Sequence, residues 1–461
     1  MTLIKSISGI RGTIGGLPGE ALTPLDIVRF TSAFGSNIRI IRSGHCTVVI
    51  GRDARTSGEM ASMLVAGTLM GLGIGVIDLG FATTPTVELA VTHHHAQGGI
   101  ILTASHNPGQ WNALKLLNAR GEFISAAEGE ELLRIIAQDR YEYATVDKLG
   151  SIIKDNAMNA MHVDKVLKMD LVNGDAIRKA KFRVAIDCVN SVGGIILPEL
   201  LRKLGVSEVI PLYCEPTGIF PHNPEPLPQH LGDIAATIQT HGADVGFVVD
   251  PDVDRLVIVN EDGSMFGEEY TLVAVADYVL QHKKGNTVSN LSSTMALRDV
   301  TVKYGGSYSA AAVGEVNVVN EMKKTHAVIG GEGNGGIIYP ALHYGRDALV
   351  GIALFLSHLA TSGKNCSALR KSYPDYYNSK NKIELNPGIN VDALVESVRL
   401  KYKNHPVNDR DGVRIDFDGE WVHLRKSNTE PIIRVISEST TAEKADALAR
   451  KIINDLNEFA P

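Results

Sequence analysis

Short apolar runs that each end in a glycine-rich or charged turn recur along this chain, and they constrain its fold more than any other feature. Runs of this kind cover residues 47–50, 99–102, 183–186, 245–249 and 327–329. Near-continuous apolar strands that alternate with helical stretches are typical of sheets buried on both faces. The sequence therefore predicts an α/β fold, in which ligands bind at the carboxyl ends of the strands.

The length of 461 residues indicates three or four domains, at roughly 100–200 residues per domain. Changes in pattern place the boundaries near residues 150, 255 and 370. The predicted segments are 1–150, 151–255, 256–370 and 371–461. Residues 371–385 are polar and aromatic, so we interpret them as a linker into the last segment.

Two helix starts can be located from capping residues. Thr23 precedes Pro24, and proline is favoured at the first helical position. Thr440 and Glu443 have the spacing of a capping box, which predicts a C-terminal helix that runs to Leu456.

The overall charge and the cysteines exclude several classes of protein. The net charge of −7 is not that of a nonspecific nucleic-acid or membrane binder. The four cysteines, which include no CxxC pair, give no zinc or redox signature and indicate a reducing compartment. Because no signal peptide and no run of 18 apolar residues is evident, we expect a cytoplasmic protein without a membrane span.

The first motif with chemical potential is the segment 103–115, TASHNPGQWNALK. Ser105 follows an apolar strand closely, in a turn that the proline of the motif restricts. Serine needs an activating group or a group already attached to it before it can act in transfer chemistry. His106 and Lys115 are candidate activators. A plain strand-to-loop turn with a capping serine explains the motif equally well.

The second motif places Asp250, Asp252 and Asp254 at alternate positions after a strand. Three carboxylates this close repel one another unless a cation is present, and oxygen ligands suit Mg²⁺ or Ca²⁺. An EF-hand is excluded because Arg255 stands where its sharp turn needs glycine. A solvated acidic turn and a phosphatase with an aspartate nucleophile both remain open from these residues alone.

The third motif is the glycine-rich segment 330–336, GGEGNGG, which also follows a strand. Its only side chains with hydrogen-bonding groups belong to Glu332 and Asn334. Carboxylate and amide groups can bind sugar hydroxyls. A glycine-rich run is more often a simple turn, so this motif is weak by itself.

The fourth motif is the segment 425–434, RKSNTEPIIR. Neutral donors on Ser427, Asn428 and Thr429 lie between the charged residues Arg425 and Arg434. Arginine forms two parallel hydrogen bonds to phosphate, so the segment can form a phosphate cradle. Judged alone, a solvated basic turn between two strands is the simpler interpretation.

The four motifs together, in this order, resemble the α-D-phosphohexomutase family over essentially the whole chain. TASHNP, D-x-D-x-D-R and R-x-S-x-T-E-P-x-x-R carry the resemblance. The family implies three similar mixed α/β domains and a smaller C-terminal α+β domain around a central cleft. It also implies one Mg²⁺ per chain, a phosphosugar substrate and a hexose 1,6-bisphosphate activator. An oligomer is compatible with the family but not required.

The resemblance implies a role for each matching residue. Ser105 corresponds to the phosphoserine, His106 to its supporting loop, and Lys115 and Arg11 to acid/base groups. Because arginine is a poor base, Lys115 is the preferred one. The implied metal ligands are Ser105, Asp250, Asp252 and Asp254. The implied substrate-binding residues are Arg255, Glu332, Asn334, Arg425, Ser427, Asn428, Thr429 and Arg434.

The implied reaction interconverts hexose 6-phosphate and hexose 1-phosphate through the phosphoserine and a 1,6-bisphosphate. The sugar loop departs from the common family pattern, with Asn334 for serine and Gly336 for histidine, and looks more like that of archaeal-type mutases. Glucosamine phosphate is the preferred substrate, and mannose or glucose phosphate is the alternative. More distant alternatives are a sugar phosphatase that uses Asp250 and a non-catalytic sugar-phosphate binding protein.

Overall fold

The structure is a computed structural model that describes residues 2–6, 9–41, 44–384, 390–426 and 432–459. It divides into two compact units, one of residues 1–271 and 334–367 and the other of residues 272–333 and 368–461. Helices and strands alternate in both units, which confirms the α/β class.

A seven-stranded sheet begins the first unit. Its strands are β1 (Ile4–Ser6), β2 (Gly9–Thr13), β3 (Thr47–Arg52), β4 (Gly75–Phe81), β5 (Gly98–Leu102), β6 (Trp111–Asn118) and β7 (Ile152–Lys154). They are ordered β1-β2-β6-β5-β3-β4-β7. β5 is parallel to β3 and antiparallel to β6. The turns after β3 and β5 therefore lie at the same edge of the sheet.

Four helices accompany this sheet: α1 (Pro24–Ile41), α2 (Gly58–Gly71), α3 (Thr84–His93) and α4 (Ala126–Ala137). The start of α1 at Pro24 confirms the first predicted helix start. Ser125 and Glu128 form a complete capping box at the start of α4. The buried faces of the helices and strands form one apolar core, to which Phe30, Ile50 and Leu69 belong.

A second sheet in the same unit has four strands: β8 (Arg183–Asp187), β9 (Glu208–Leu212), β10 (Val245–Val249) and β11 (Leu256–Asn260). The order is β11-β10-β8-β9, and every residue of β10 is buried. Four helices belong to this part: α5 (Met158–Leu167), α6 (Gly174–Ala180), α7 (Gly193–Leu204) and α8 (Gly232–His241). Two short 3-10 turns cover Val146–Lys148 and Pro228–His230.

The chain then passes through α9 (Glu268–His282) into the second unit. There it forms β12 (Thr287–Asn290), α10 (Ala296–Lys303), β13 (Tyr308–Ala311), α11 (Glu315–Thr325) and β14 (Ile329–Glu332). β12 is parallel to both β13 and β14. The observed strand begins at Ile329, two residues later than the apolar run 327–329 predicted. Glu332 is its last residue and is not part of the loop.

Residues 334–367 return to the first unit with β15 (Gly336–Ile338) and α12 (Ala348–Ser362). The first twelve residues of α12 are all buried. A helix that is apolar on every side is stable only when it is enclosed by other elements. Asp347 caps it by accepting N–H bonds from Leu349 and Val350.

The rest of the second unit follows α13 (Cys366–Arg370) and forms a five-stranded antiparallel sheet. The strands and helices of this part are β16 (Tyr377–Glu384), α14 (Val391–Lys401), β17 (Val407–Asn408), β18 (Val413–Phe417), β19 (Glu420–Lys426), β20 (Ile432–Ser439) and α15 (Ala442–Phe459). The strand order is β16-β20-β19-β18-β17.

Two predictions about this part were wrong. Residues 377–384 are an edge strand, so the predicted linker over 371–385 is mostly regular structure held by pairing with β20. The side chain of Thr441, not that of Thr440, accepts the Lys444 N–H at the start of α15. The two threonines are adjacent, and only the helix geometry decides which one caps.

Candidate active site

Ser105 lies in the turn after β5, and its side chain is directed to the second sheet of the same unit. It is 8% exposed and has a φ of +48°, in the left-handed region that serine rarely adopts. Its Oγ donates a hydrogen bond of 2.6 Å to Oδ2 of Asp250, 145 residues further along the chain. The structure therefore shows that the first and second motifs meet, which the sequence alone could not show.

The three aspartates of the second motif follow β10 and are completely buried, which excludes the solvated acidic turn. One carboxylate oxygen from each lies within 4.8 Å of the others. Burial, followed by repulsion from Asp254 and Asp252, raises the pKa of Asp250 well above its ordinary value. Three buried carboxylates are stable together only if positive charge is supplied nearby.

Part of that charge comes from the protein itself. Lys115 Nζ lies 2.6 Å from Asp252 Oδ2 and 3.3 Å from Asp254 Oδ2. Thr84 Oγ1 donates to the same oxygen of Asp252 at 2.5 Å. Arg346 donates to Oδ2 of Asp254 at 2.6 Å. One oxygen of each of these two carboxylates, Oδ2 of Asp252 and Oδ2 of Asp254, is thus held by protein donors.

The other oxygens of the same two carboxylates are left for a cation. Oδ1 of Asp252 and Oδ1 of Asp254 are buried and have no hydrogen-bond partner among the described residues. An unpaired buried carboxylate oxygen is costly, whereas Mg²⁺ prefers such oxygens as ligands. The residues present therefore fit a divalent cation at Asp250, Asp252 and Asp254.

The electrostatics of the two proposed acid/base residues differ. Burial by itself would lower the pKa of Lys115, but attraction by Asp252 and Asp254 raises it above its ordinary value. Burial and repulsion by Arg255 lower the pKa of Arg11, which lies on β2. The two pKa values thus shift in opposite directions, and the assignment of the acid/base group stays a prediction.

A group of positive side chains surrounds His106. Burial, followed by repulsion from Arg255, lowers the pKa of His106 to about 2, and Arg346 and Arg11 contribute in the same direction. The Nε atoms of Arg11 and Arg255 are buried without a hydrogen-bond partner among the described residues. Half-buried guanidinium groups with such Nε atoms can bind an anion next to the serine.

Glu332 and Asn334 belong to different units, because the division falls between Gly333 and Asn334. Glu332 is 4% exposed, and its Oε1 accepts hydrogen bonds from the Asn290 amide at 2.9 Å and the Gly314 N–H at 3.0 Å. Oδ1 of Asn334 accepts the N–H of Gly336 at 3.3 Å. Both side chains are thus oriented by contacts within their own units.

The fourth motif is described only at its two ends. Arg425 forms an ion pair with Asp411, with Nε 3.0 Å from Oδ2, and the same oxygen accepts the Val313 N–H. Arg434 is exposed on β20. Ser427, Asn428 and Thr429 lie outside the described residues. The loop between the two arginines therefore remains a sequence-based prediction.

Four family models match the chain in order. They are described as the alpha/beta/alpha domains I, II and III and the C-terminal domain of phosphoglucomutase/phosphomannomutase, and they match residues 3–142, 160–263, 267–377 and 380–455. The chain belongs to the phosphoglucomutase/phosphomannomutase family. It is therefore an enzyme of the phosphohexomutase class with four domains, although the predicted boundaries at 150, 255 and 370 stay a prediction.

Individual members of the phosphoglucomutase/phosphomannomutase family are similar over nearly their full length. A phosphoglucomutase/phosphomannomutase of Thermococcus kodakarensis is 33% identical over 94% of this chain and 95% of its own. A probable phosphoglucosamine mutase of Methanopyrus kandleri is 32% identical over 97% and 96%. A solved family protein from Burkholderia thailandensis has a TM-score of 0.84 and 26% identity, with 99% of both chains covered.

Four further residues contact the proposed site residues, although the sequence analysis did not single them out. Thr84 and Arg346 contact the aspartates, and Asp411 holds Arg425. Arg55 binds the turn that carries Ser105. The sequence indicates these residues only through their positions. Arg55 and Thr84 each follow a strand closely, and Arg346 lies in the charged segment Gly345–Asp347, after the glycine-rich motif.

A buried network connects α3 and α12 of this phosphohexomutase. His343 Nδ1 lies 3.0 Å from Glu88 Oε2, and its Nε2 lies 3.1 Å from Asp347 Oδ2. His162 contacts the same oxygen of Asp347 at 2.8 Å. Burial would lower the pKa of His343, but the hydrogen bond to Asp347 and the attraction by the carboxylates of Glu88 and Asp347 raise it to about 10. Glu88 lies one turn after Thr84, so the network supports the helix that contacts Asp252.

None of the helices in the described part of the chain is both long and apolar enough to cross a membrane.

Proposed function

We propose that this enzyme moves a phosphoryl group between O6 and O1 of a hexose through a phosphorylated Ser105, and that the hexose is glucosamine. The observation that carries the proposal is the 2.6 Å hydrogen bond between Ser105 Oγ and Asp250 Oδ2. It puts a constrained hydroxyl beside three buried carboxylates that fit a cation. A serine in this setting suits phosphoryl transfer, in which positioning and charge stabilisation carry most of the catalysis.

In the first transfer, the bond between phosphorus and Ser105 Oγ breaks as a bond from phosphorus to the free hydroxyl oxygen of the hexose phosphate forms. The hydroxyl proton passes through Lys115 or Arg11, and Ser105 ends with its Oγ–H restored. In the second transfer, the other phosphate of the hexose 1,6-bisphosphate moves to Ser105 Oγ. The serine proton passes back to the oxygen that this phosphate leaves, so the enzyme is unchanged overall.

Asp250, Asp252, Asp254 and the phosphate on Ser105 would hold Mg²⁺. When bound, the cation would supply charge neutralisation for the transferred phosphoryl group. Arg11 and Arg255 stabilise the same negative charge through guanidinium groups whose buried Nε atoms have no hydrogen-bond partner among the described residues. His106, whose pKa is about 2, stays neutral and contributes a ring nitrogen 3.4 Å from Ser105 Oγ.

Glu332 and Asn334 bind hydroxyl groups of the sugar, and Arg425 and Arg434 bind the phosphate that is not being transferred. Ser427, Asn428 and Thr429 supply neutral donors to that phosphate. Hexose 1,6-bisphosphate is the activator, because it phosphorylates Ser105 in enzyme that has lost its phosphate.

The name of the Methanopyrus kandleri relative, a probable phosphoglucosamine mutase, supports glucosamine as the sugar. The name of the Thermococcus kodakarensis relative supports glucose or mannose, which is therefore the second candidate. Both candidates use the same residues for phosphoryl transfer. The sugars differ only at C2, where glucosamine has an amino group and glucose and mannose have a hydroxyl group.

A coupled assay on glucosamine, glucose and mannose 1-phosphates, each with catalytic hexose 1,6-bisphosphate and Mg²⁺, tests the proposal. We expect 6-phosphate product from all three, with the highest kcat/KM for glucosamine 1-phosphate. Release of inorganic phosphate in place of an isomer would indicate a phosphatase and contradict the mechanism. Binding of the sugars without turnover would indicate a binding protein.

A further inference from the structure

We propose that Arg55 is a positioning residue, which holds the turn of residues 103–111 so that Ser105 Oγ is aligned for transfer. This turn is called the serine turn below. The inference rests on the proposed function, because it concerns the same hydroxyl. Arg55 lies in the turn after β3, next to the serine turn, and is 1% exposed.

All five N–H donors of the Arg55 guanidinium group are used. Four of its hydrogen bonds end on backbone carbonyls of the serine turn. NH2 donates to the carbonyls of Ser105 at 2.5 Å and Asn107 at 2.6 Å, and NH1 donates to those of Pro108 at 2.7 Å and Trp111 at 3.0 Å. The fork of a guanidinium group can bridge several acceptors in fixed directions, which the single ammonium nitrogen of lysine cannot.

The fifth donor connects Arg55 to a second support of the same turn. Nε of Arg55 donates to Oδ2 of Asp53 at 3.0 Å, and the hydroxyl of Thr103 donates to this oxygen at 2.6 Å. Thr103 Oγ1 in turn accepts the N–H of Ser105 at 3.0 Å. Asp53 and Thr103 are both 0% exposed.

Ser105 is therefore fixed on both sides of its α-carbon. Its N–H is bound by Thr103 and its carbonyl by Arg55, and between them the backbone takes a φ of +48°. A non-glycine residue in this region is strained and persists only where its surroundings impose the conformation. The network around Arg55 supplies that constraint.

The charge of the network also argues for a positional role. A buried ion pair such as Asp53 with Arg55 costs much of its attraction in desolvation, so it contributes little net stability compared with an apolar pair. The ion pair does hold the Arg55 guanidinium group in one orientation, which fixes the direction of its hydrogen bonds to the carbonyls of the turn. Alignment of the reacting atoms matters, since a misplacement of about 1 Å can cost about 100-fold in rate.

The test compares Arg55→Lys, Thr103→Val and Thr103→Ser with the wild-type enzyme, with Arg52→Lys as the matched control. Arg52 lies in the same segment, but its guanidinium group donates to the Asp53 carbonyl and lies 4.2 Å from the Phe81 ring centroid. Mutase kcat and KM are measured with hexose 1-phosphate, glucose 1,6-bisphosphate and Mg²⁺. The ³¹P NMR shift and linewidth of phosphoserine 105 are recorded for each variant.

We expect kcat to fall by at least about tenfold in Arg55→Lys and Thr103→Val, with KM within about threefold, because the substrate contacts remain. The phosphoserine resonance should shift or broaden in both. Thr103→Ser, which keeps the hydroxyl, should restore kcat to within about threefold of wild type. Arg52→Lys should behave like wild type.

If Arg55→Lys and Thr103→Val are folded and keep kcat within about twofold with an unchanged resonance, the positioning role is wrong. An equal loss in Thr103→Ser and Thr103→Val also overturns it, since the hydroxyl would then not matter. If Arg55→Lys does not fold, the comparison of Thr103→Val with Thr103→Ser decides whether the positioning role is correct. An inactive wild-type enzyme would instead contradict the proposed mutase function.

Discussion

Arg425 on β19 and Arg434 on β20 are direct register partners, so their side chains lie on the same face of the sheet. On the other side of Arg434, its register partner on β16 is Lys382. Like charges directly opposite each other on neighbouring strands are destabilising. The ion pairs of Arg425 with Asp411 and of Lys382 with Glu384 offset part of this repulsion, and a bound anion would offset more of it, which agrees with the proposed phosphate-binding role.

Replacement of Arg434 by alanine should weaken the mutase reaction specifically. Loss of one charge-assisted bond to phosphate costs about 1.5–3 kcal/mol, which corresponds to roughly 10–150-fold in kcat/KM. Hydrolysis of phosphoserine 105 by water should change much less, because it does not involve the second phosphate. Both rates are measured on the same preparation, with Arg399→Ala on the surface of α14 as the control. Unchanged mutase kinetics would exclude Arg434 from phosphate binding, and an equal fall in both rates would indicate a folding defect.

Replacement of Ser105 should abolish mutase activity without unfolding the enzyme. The bonds to Arg55 and Thr103 involve the backbone carbonyl and N–H of Ser105, so alanine or glycine at this position retains them. Because φ is positive, Ser105→Gly should be more stable than Ser105→Ala by about 1 kcal/mol. Intact mass and thermal unfolding check this. A stable phosphate elsewhere in a fully active Ser105→Ala enzyme would contradict the mechanism.

Removal of the metal should stop turnover, and Mg²⁺ should restore it. Asp252→Asn should weaken Mg²⁺ binding by at least about tenfold, since the site loses one formal charge. Isothermal titration measures the affinity without reference to activity. Asp147→Asn removes an exposed carboxylate and should leave the affinity unchanged. Full activity in excess chelator would exclude the metal.

The network of His343, Glu88 and Asp347 should make stability depend on pH in the alkaline range. The pKa of His343 is raised from 6.5 to about 10, so its contribution is complete below pH 6.5 and is lost as the pH rises towards 10. The stability advantage of wild type over His343→Gln should shrink by up to about 1.4 kcal/mol per pH unit in this window. Urea unfolding at pH 6.5, 8 and 9.5 measures it, with the exposed His45→Gln as control. An advantage that stays constant with pH would show that His343 is not charged in the folded enzyme.

Much of the fold could be predicted because strands and helices depend on neighbouring residues. The apolar run 245–249 became β10 without change, and the proline at position 24 began α1. The errors occurred where neighbouring residues are nearly equivalent. Glycines at 330 and 331 looked like a turn, but Gly330 pairs with Val288 of β12, and the strand continues to Glu332.

The sequence by itself determined the α/β class, the family and which short segments carry chemical groups, because each of these depends on residues a few positions apart. Only the tertiary structure decided which groups meet. Asp250 lies 145 residues after Ser105, Arg346 lies 92 residues after Asp254, and Arg55 contacts a turn about 50 residues later. Contacts over such separations depend on the order of strands in a sheet and on the packing between sheets. No local propensity or periodicity records that order, and this is why Arg55 and Arg346 could not be assigned from the sequence.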